Sequence, residues 1–378
     1  MTRGLHKQRK GYTSIKVVRV VFLVALLSRA SWMHAQTSAT STYLFNDSHF
    51  HLTNYVQEGI TAARFLDVMG NKVSRSTLFG IPLQQQWSYT NSGTFGPTYY
   101  LQSDAPLYYY SFTDAYIAMQ YKSLPPAQQA RLDPMITGFN PADMYARHHI
   151  ERVLKTFPGV FTGIGEFSIH KEFVSSKIAG EVASLTNPAL DSILSFAAKV
   201  GLLVILHNDV DMPMAKDKAE PVYLNQMIAL LKRHKQTTII WAHAGLGRIV
   251  HPIGFASDDG QRTSTQISVM DKILSDSELS HVYFDISWDE VAKYIISSPQ
   301  SIQNTATLFN RYPDRFLFGT DVVAPPNQEF YLAVHRMYEP LWKALTPETS
   351  NKIRLANYVR LFDSARTKVR AWERANVK

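Results

Sequence analysis

From residue 43 onward, short apolar runs rich in β-branched and aromatic residues alternate with stretches whose apolar positions recur every three to four residues. Apolar runs of the first kind predict strands, and the second spacing predicts amphipathic helices. Eight runs predict strands, near Tyr43–Asp47, Ser76–Pro82, Met135–Phe139, Gly163–Phe167, Leu202–Leu206, Thr237–Trp241, Val282–Ile286 and Arg315–Gly319. Helical signals fall between them. Val56, Ile60, Ala63 and Met69 predict a helix stopped by Gly70. Asn187 as N-cap and Pro188 in the first turn open another, with Leu190, Ile193, Leu194 and Ala197 as its stripe, and Leu224, Met227, Ile228 and Leu231 mark a third. Such stripes face a core rather than a ligand. Strands alternating with helices predict an α/β protein with a parallel sheet, and eight units predict a (β/α)8 TIM barrel.

Gln84 to Tyr121, after the second strand, is an aromatic-rich insertion. It holds Trp87, Tyr89, Phe95, Tyr99, Tyr100, Tyr108, Tyr109, Tyr110, Phe112, Tyr116 and Tyr121 but only two charged side chains, Asp104 and Asp114. A loop on the carboxyl side of a barrel overhangs the active-site face, so this one is expected to form a lid or apolar wall, or else a packed cap or subunit contact. Residues 346–378 read as a C-terminal helical segment. Residues 36–378 form one domain without internal repeats.

Composition narrows the chemistry. Hydrophobic residues make up 45% and charged residues 19% of the 378, which suits a globular protein with a sizeable core. Cysteine is absent, which excludes disulfides, thiol nucleophiles and cysteine-bound metals. Any metal must sit on His, Asp and Glu. The net charge of +8 first suggests a polyanion partner. Seven of the 39 cations, however, lie in residues 1–35 with no acid, so the remainder carries 32 cations against 31 acids. A nearly neutral body lacks the clustered Lys and Arg that nucleic acid requires.

The front of the chain reads as a secretory signal peptide over residues 1–35: a basic region from Arg3 to Arg19, the apolar run Val20–Leu27, and a cleavage point near Ala35–Gln36. Eight apolar residues fall short of the roughly 20 that a spanning helix needs. The mature chain is therefore expected to be exported, periplasmic or secreted, with no integral membrane span.

The chemistry concentrates at strand ends. Asp47, His49 and His51 alternate along the first strand and are expected to project into the barrel together. Glu166 lies on the fourth strand, His207 ends the fifth, His243 ends the sixth and Asp321 completes the eighth. Barrel enzymes place their reacting groups at these carboxyl ends. Four imidazoles and two carboxylates suit Zn²⁺, Mn²⁺, Fe²⁺ or similar ions. Weaker candidates for substrate contact are His170, Arg248 and Asp285. Arg248 fits a carboxylate or phosphate, or a structural ion pair, and Asp285 fits a substrate contact or the support of a ligand. His148 and His149 are expected to be exposed helix positions.

The set Asp47-Ser48-His49-Phe50-His51, Gly163-Ile164-Gly165-Glu166, the strand-ending His207 and His243, Gly319-Thr320-Asp321 and Asn357-Tyr358-Val359-Arg360-Leu361-Phe362 resembles the amidohydrolase superfamily, most closely its family 2 branch, over residues 43–363. That resemblance implies a metal-dependent hydrolase in which His49, His51 and Asp321 hold one divalent ion, zinc foremost, and His207 and His243 hold a second, with Glu166 bridging. Other relatives use one ion and leave His243 free for acid–base work, so one or two ions remain open. It further implies a small-molecule substrate with an amide, ester, lactone or phosphoester bond, attacked by activated water, with Asp321 and His243 as catalytic groups. Two alternatives stand beside this reading: a mononuclear non-oxidative decarboxylase of an aromatic acid, and an idle barrel kept as a binding protein. Assembly into a homo-oligomer is open.

Overall fold

In a computed structural model, the structure describes residues 1, 43–212, 221–248 and 266–377. The leader read at residues 1–35 lies outside the described residues, Met1 apart. Eight parallel strands follow one another around a single sheet: β1 Phe45–Asp47, β2 Val73–Leu78, β3 Leu132–Ile136, β4 Gly163–Ser168, β5 Leu203–His207, β6 Ile239–Trp241, β7 Val282–Asp285 and β8 Phe316–Leu317. Each overlaps one of the eight expected runs. The sheet curls in the manner of a (β/α)8 fold, and its two ends meet. Ser48 N–H donates to Phe318 O at 3.0 Å and Asp321 N–H to His49 O at 2.7 Å. Beyond them Phe50–His51 pairs in parallel with Val322–Val323.

Local chemistry accounts for the helices. Asn187 caps Pro188–Val200 by accepting from Ala189 N–H, and Pro188 sits at the first turn, where a missing N–H costs nothing. Its buried face is Ala189, Leu190, Ile193, Leu194, Phe196, Ala197 and Val200. The first helix begins later than its apolar spacing suggests. Thr61 accepts from Arg64 N–H and starts Ala62–Met69, so Val56 and Ile60 precede it; Gly70, at φ 51°, ends it. After β2 the chain forms an antiparallel pair, Leu83–Gln85 with Leu107–Tyr109, and then the helix Phe112–Lys122, which packs on β3.

The sheet interior is filled by Met135, Leu203, Ile205, Ile240 and Leu317 together with Tyr358, Leu361 and Phe362 of the last helix, Asn357–Asn376. Tyr358 OH donates to the buried Asp133, which Arg75 and Arg366 also engage. The larger cluster lies between the sheet and the surrounding helices. Among the described residues no helix is long and apolar enough to cross a membrane.

Candidate metal centre

β1 breaks after Asp47 and resumes at Phe50, and this break sorts its polar residues. His49 and His51 turn into the barrel mouth. Asp47 does not join them, contrary to simple alternation. It accepts from His49 N–H, Thr320 N–H, Thr320 Oγ1–H and Tyr331 OH, and so ties the first strand to the eighth. Burial raises its carboxyl to about 6 against those four donors.

Glu166 lies at the centre of the site. Gly165 precedes it at φ +116°, and a Cβ there would fall 2.1 Å from Ile205 O, so only glycine lets the fourth strand approach the fifth. Glu166 Oε2 faces His49 Nε2 at 3.6 Å and His51 Nε2 at 3.5 Å. Asp321 Oδ1 stands 3.5 Å from His49 Nε2 and 3.1 Å from His51 Nε2. Glu166 Oε1 faces the other side, 2.5 Å from His207 Nδ1 and 3.4 Å from His243 Nε2. All six expected side chains are thus brought together, in overlapping groups whose ligand atoms lie within 4.8 Å of one another.

Three of the four histidines are oriented from behind, whereas His51 Nδ1 has no hydrogen-bond partner among the described residues. His49 Nδ1 meets Asp285 Oδ2 at 3.0 Å, His207 Nε2 meets Asp209 Oδ1 at 2.9 Å, and His243 Nδ1 meets Ser287 Oγ at 2.9 Å. This pattern fixes which ring nitrogen points inward, as ligating histidines require. His49 Nε2 is buried with no hydrogen-bond partner among the described residues. A buried, unsatisfied nitrogen facing two carboxylates fits a cation. His243 and Asp321 carry left-handed backbones, each at φ 55°, a strained state for non-glycine residues that concentrates at functional sites.

Electrostatics keep the acids ionised. Burial opposes ionisation of Glu166, but Lys171 and His207 hold its carboxyl well below the usual range. Burial likewise works against Asp321, and His243 and His51 overcome it. Burial depresses the His243 imidazole below its ordinary value, against the pull of Asp321.

A cleft of about 120 Å³ opens on this centre, lined by His51, His207, His243 and Asp321 and walled by Tyr55, Tyr99, Tyr100 and Trp288. Arg248 lines it too, bound to Glu290 Oε1 at 3.2 Å and Tyr99 OH at 3.0 Å and lying over the Trp288 ring. Asp285 is fully buried behind His49 and acts as its support. His170 stacks on Tyr223 at 3.8 Å and lines a neighbouring depression with Glu172 and Asp209. His149 is no free surface position: it meets the buried Asp114 at 2.7 Å. Lys171, Asp209, Ser287 and Trp288 also belong to the site, and the sequence pattern alone does not single them out. Asp209 and Ser287 each lie two residues beyond a strand-end candidate, which is a usable signal, whereas Lys171 sits in a loop with no periodicity to mark it.

A family model described as amidohydrolase matches residues 169–363, more than half of the chain. The chain belongs to the amidohydrolase family. The amidohydrolase is accordingly a metal-dependent hydrolase, and its family uses divalent metal. Among solved structures, an amidohydrolase from Burkholderia multivorans with bound zinc aligns at TM-score 0.51 and 12% identity over 85% of this chain and 99% of that one. This likeness is one of fold. Amidohydrolase 2 from Bifidobacterium longum subsp. infantis aligns at TM-score 0.47 and 12% identity over 85% and 99%, and dihydroorotase from Campylobacter jejuni at 0.47 and 11% over 87% and 86%. No curated protein matches the sequence significantly.

Proposed function

We propose that this amidohydrolase is exported through residues 1–35 and cleaves an amide, ester, lactone or phosphoester bond of a small molecule. The observation that carries the reading is that His49 Nε2 and His51 Nε2 each face both Glu166 Oε2 and Asp321 Oδ1, at 3.1 to 3.6 Å, at the floor of an aromatic cleft. These four residues would hold a divalent ion, zinc first among the candidates. Such an ion lowers the pKa of water from ~15.7 to about 7, which makes hydroxide available at neutral pH.

The chain supplies the remaining steps. Asp321, ionised and open to the cleft, takes the proton of the attacking water and returns it to the leaving group. His243, held at Nδ1 by Ser287, turns Nε2 to the cleft and does acid–base work beside the scissile group. Tyr99, Tyr100 and Trp288, part of them from the insertion after β2, orient the substrate and exclude water. A second reading, decarboxylation of an aromatic acid, draws support from the two cations, Lys171 and Arg248, on the cleft wall.

The test is Asp321→Asn assayed on a panel of lactones, esters, amides and phosphoesters. Turnover is expected to fall by roughly 10²-fold or more, with substrate binding largely retained. Unchanged turnover would remove Asp321 from this role, and carbon dioxide released from an aromatic acid would select the second reading.

A further inference from the structure

The two oxygens of Glu166 stand in different surroundings. Two adjacent atoms bound to the same ion at ~2.0–2.2 Å stand roughly 2.8 to 3.6 Å apart in tetrahedral or octahedral shells. His49 Nε2 and His51 Nε2 already have that spacing to Oε2 and to Asp321 Oδ1, between 3.1 and 3.6 Å. Oε1 has it toward His243 Nε2, at 3.4 Å, but not toward His207 Nδ1, which approaches to 2.5 Å, the distance of a short hydrogen bond. An ion shared by Oε1, His207 and His243 would have to break that bond.

A cation already stands at this oxygen. Lys171 Nζ lies 3.6 Å from Glu166 Oε1, its side chain 15% exposed, and it lines the cleft beside His207 and His243. It is no surface lysine reaching in. Lys171 N–H donates to Ser175 Oγ at 3.0 Å, and Ser175 N–H donates back to Lys171 O at 3.0 Å. On either side, Ile169 N–H bonds to His207 O at 2.9 Å and Asp209 N–H to His170 O at 2.7 Å. The loop that carries the lysine is therefore sewn to the end of β5, next to the histidine it accompanies. A divalent ion on Oε1 would face this ammonium at close range, and like charges in a largely buried site repel strongly.

We propose that Lys171 is the second cation of this centre: its ammonium stands at the Oε1 side of Glu166 in place of a second ion and limits the chain to one divalent ion, held by His49, His51, Glu166 and Asp321. The inference rests on the metal-dependent reading above. It also gives the cleft a fixed positive charge that is not lost when metal is removed.

The experiment is elemental analysis of the full chain, loaded with zinc and dialysed without chelator, together with calorimetric titration of zinc alone. Wild type retains one equivalent. Lys171→Met, or Lys171→Gln if methionine is not accommodated, retains two, the second binding roughly 100-fold or more tightly than to wild type. Lys171→Arg, which keeps the charge, stays at one. Two tightly held equivalents in wild type, or only one in a natively folded neutral variant, overturn the proposal while leaving the metal-dependent reading intact. No retained ion in wild type overturns both.

Discussion

His49 Nδ1 meets Asp285 Oδ2 at 3.0 Å, and both side chains are fully buried. The carboxylate holds the proton on Nδ1 and leaves Nε2 bare toward Glu166 and Asp321. Its other oxygen accepts from the backbone N–H of His243 at 2.9 Å, so one acid orients the His49 imidazole and holds the backbone that carries His243. Removing such a support typically costs 10–100-fold in metal affinity. Asp285→Asn is therefore expected to weaken zinc binding by about 10–100-fold while the fold survives. Competition with a chelating dye measures this, and unchanged affinity would reduce Asp285 to packing.

Arg248 spans the cleft wall between Glu290, Tyr99 and the Trp288 ring. A charge-assisted hydrogen bond is worth about 1.5–3 kcal/mol, so Arg248→Met should raise KM for an anionic substrate by about 10-fold or more. Neutral substrates should change far less. Steady-state kinetics on a matched pair, a carboxylate and its methyl ester, separates the two. Equal losses on both would mean that Arg248 positions Tyr99 and Trp288 rather than reading substrate charge.

Acid stability has a source far from the centre. His335 is 7% exposed and stacks on Phe45 at 5.0 Å. Burial, with help from Arg354 and Arg336, depresses its imidazole to about 4. An unfolded histidine titrates near 6.5. Between those values the unfolded chain binds a proton that the folded chain does not, so stability falls as pH drops from about 6.5 to about 4. The loss attributable to this group is about 3 kcal/mol. His335→Phe is expected to shallow the fall in Tm between pH 7 and pH 4.5. An identical fall in wild type and variant would assign the acid limb to other groups.

Much of this architecture is legible in the amino-acid sequence, and the exceptions have physical reasons. The strands are legible because β-branched runs bounded by turns have few other uses, and His207, His243 and Asp321 stand out because a polar group ending such a run needs a partner. Alternation fails at Asp47, where the break before Phe50 turns the carboxylate into the seam with Thr320 and Tyr331. Val56 and Ile60 match a helical spacing, but Thr61 caps the helix after them. Lys171 carries no signal because a loop residue takes its position from tertiary hydrogen bonds, here those of Ser175 and the end of β5. His149 carries no sign of Asp114, 35 residues away.

The central claim is that His49, His51, Glu166 and Asp321 hold a catalytic divalent ion. The most direct measurement is an anomalous difference map at the zinc edge from crystals of the zinc-loaded chain. The account predicts one peak within ~2.0–2.2 Å of His49 Nε2, His51 Nε2, Glu166 Oε2 and Asp321 Oδ1. A map with no peak there, or with its peak held by other residues, would contradict it.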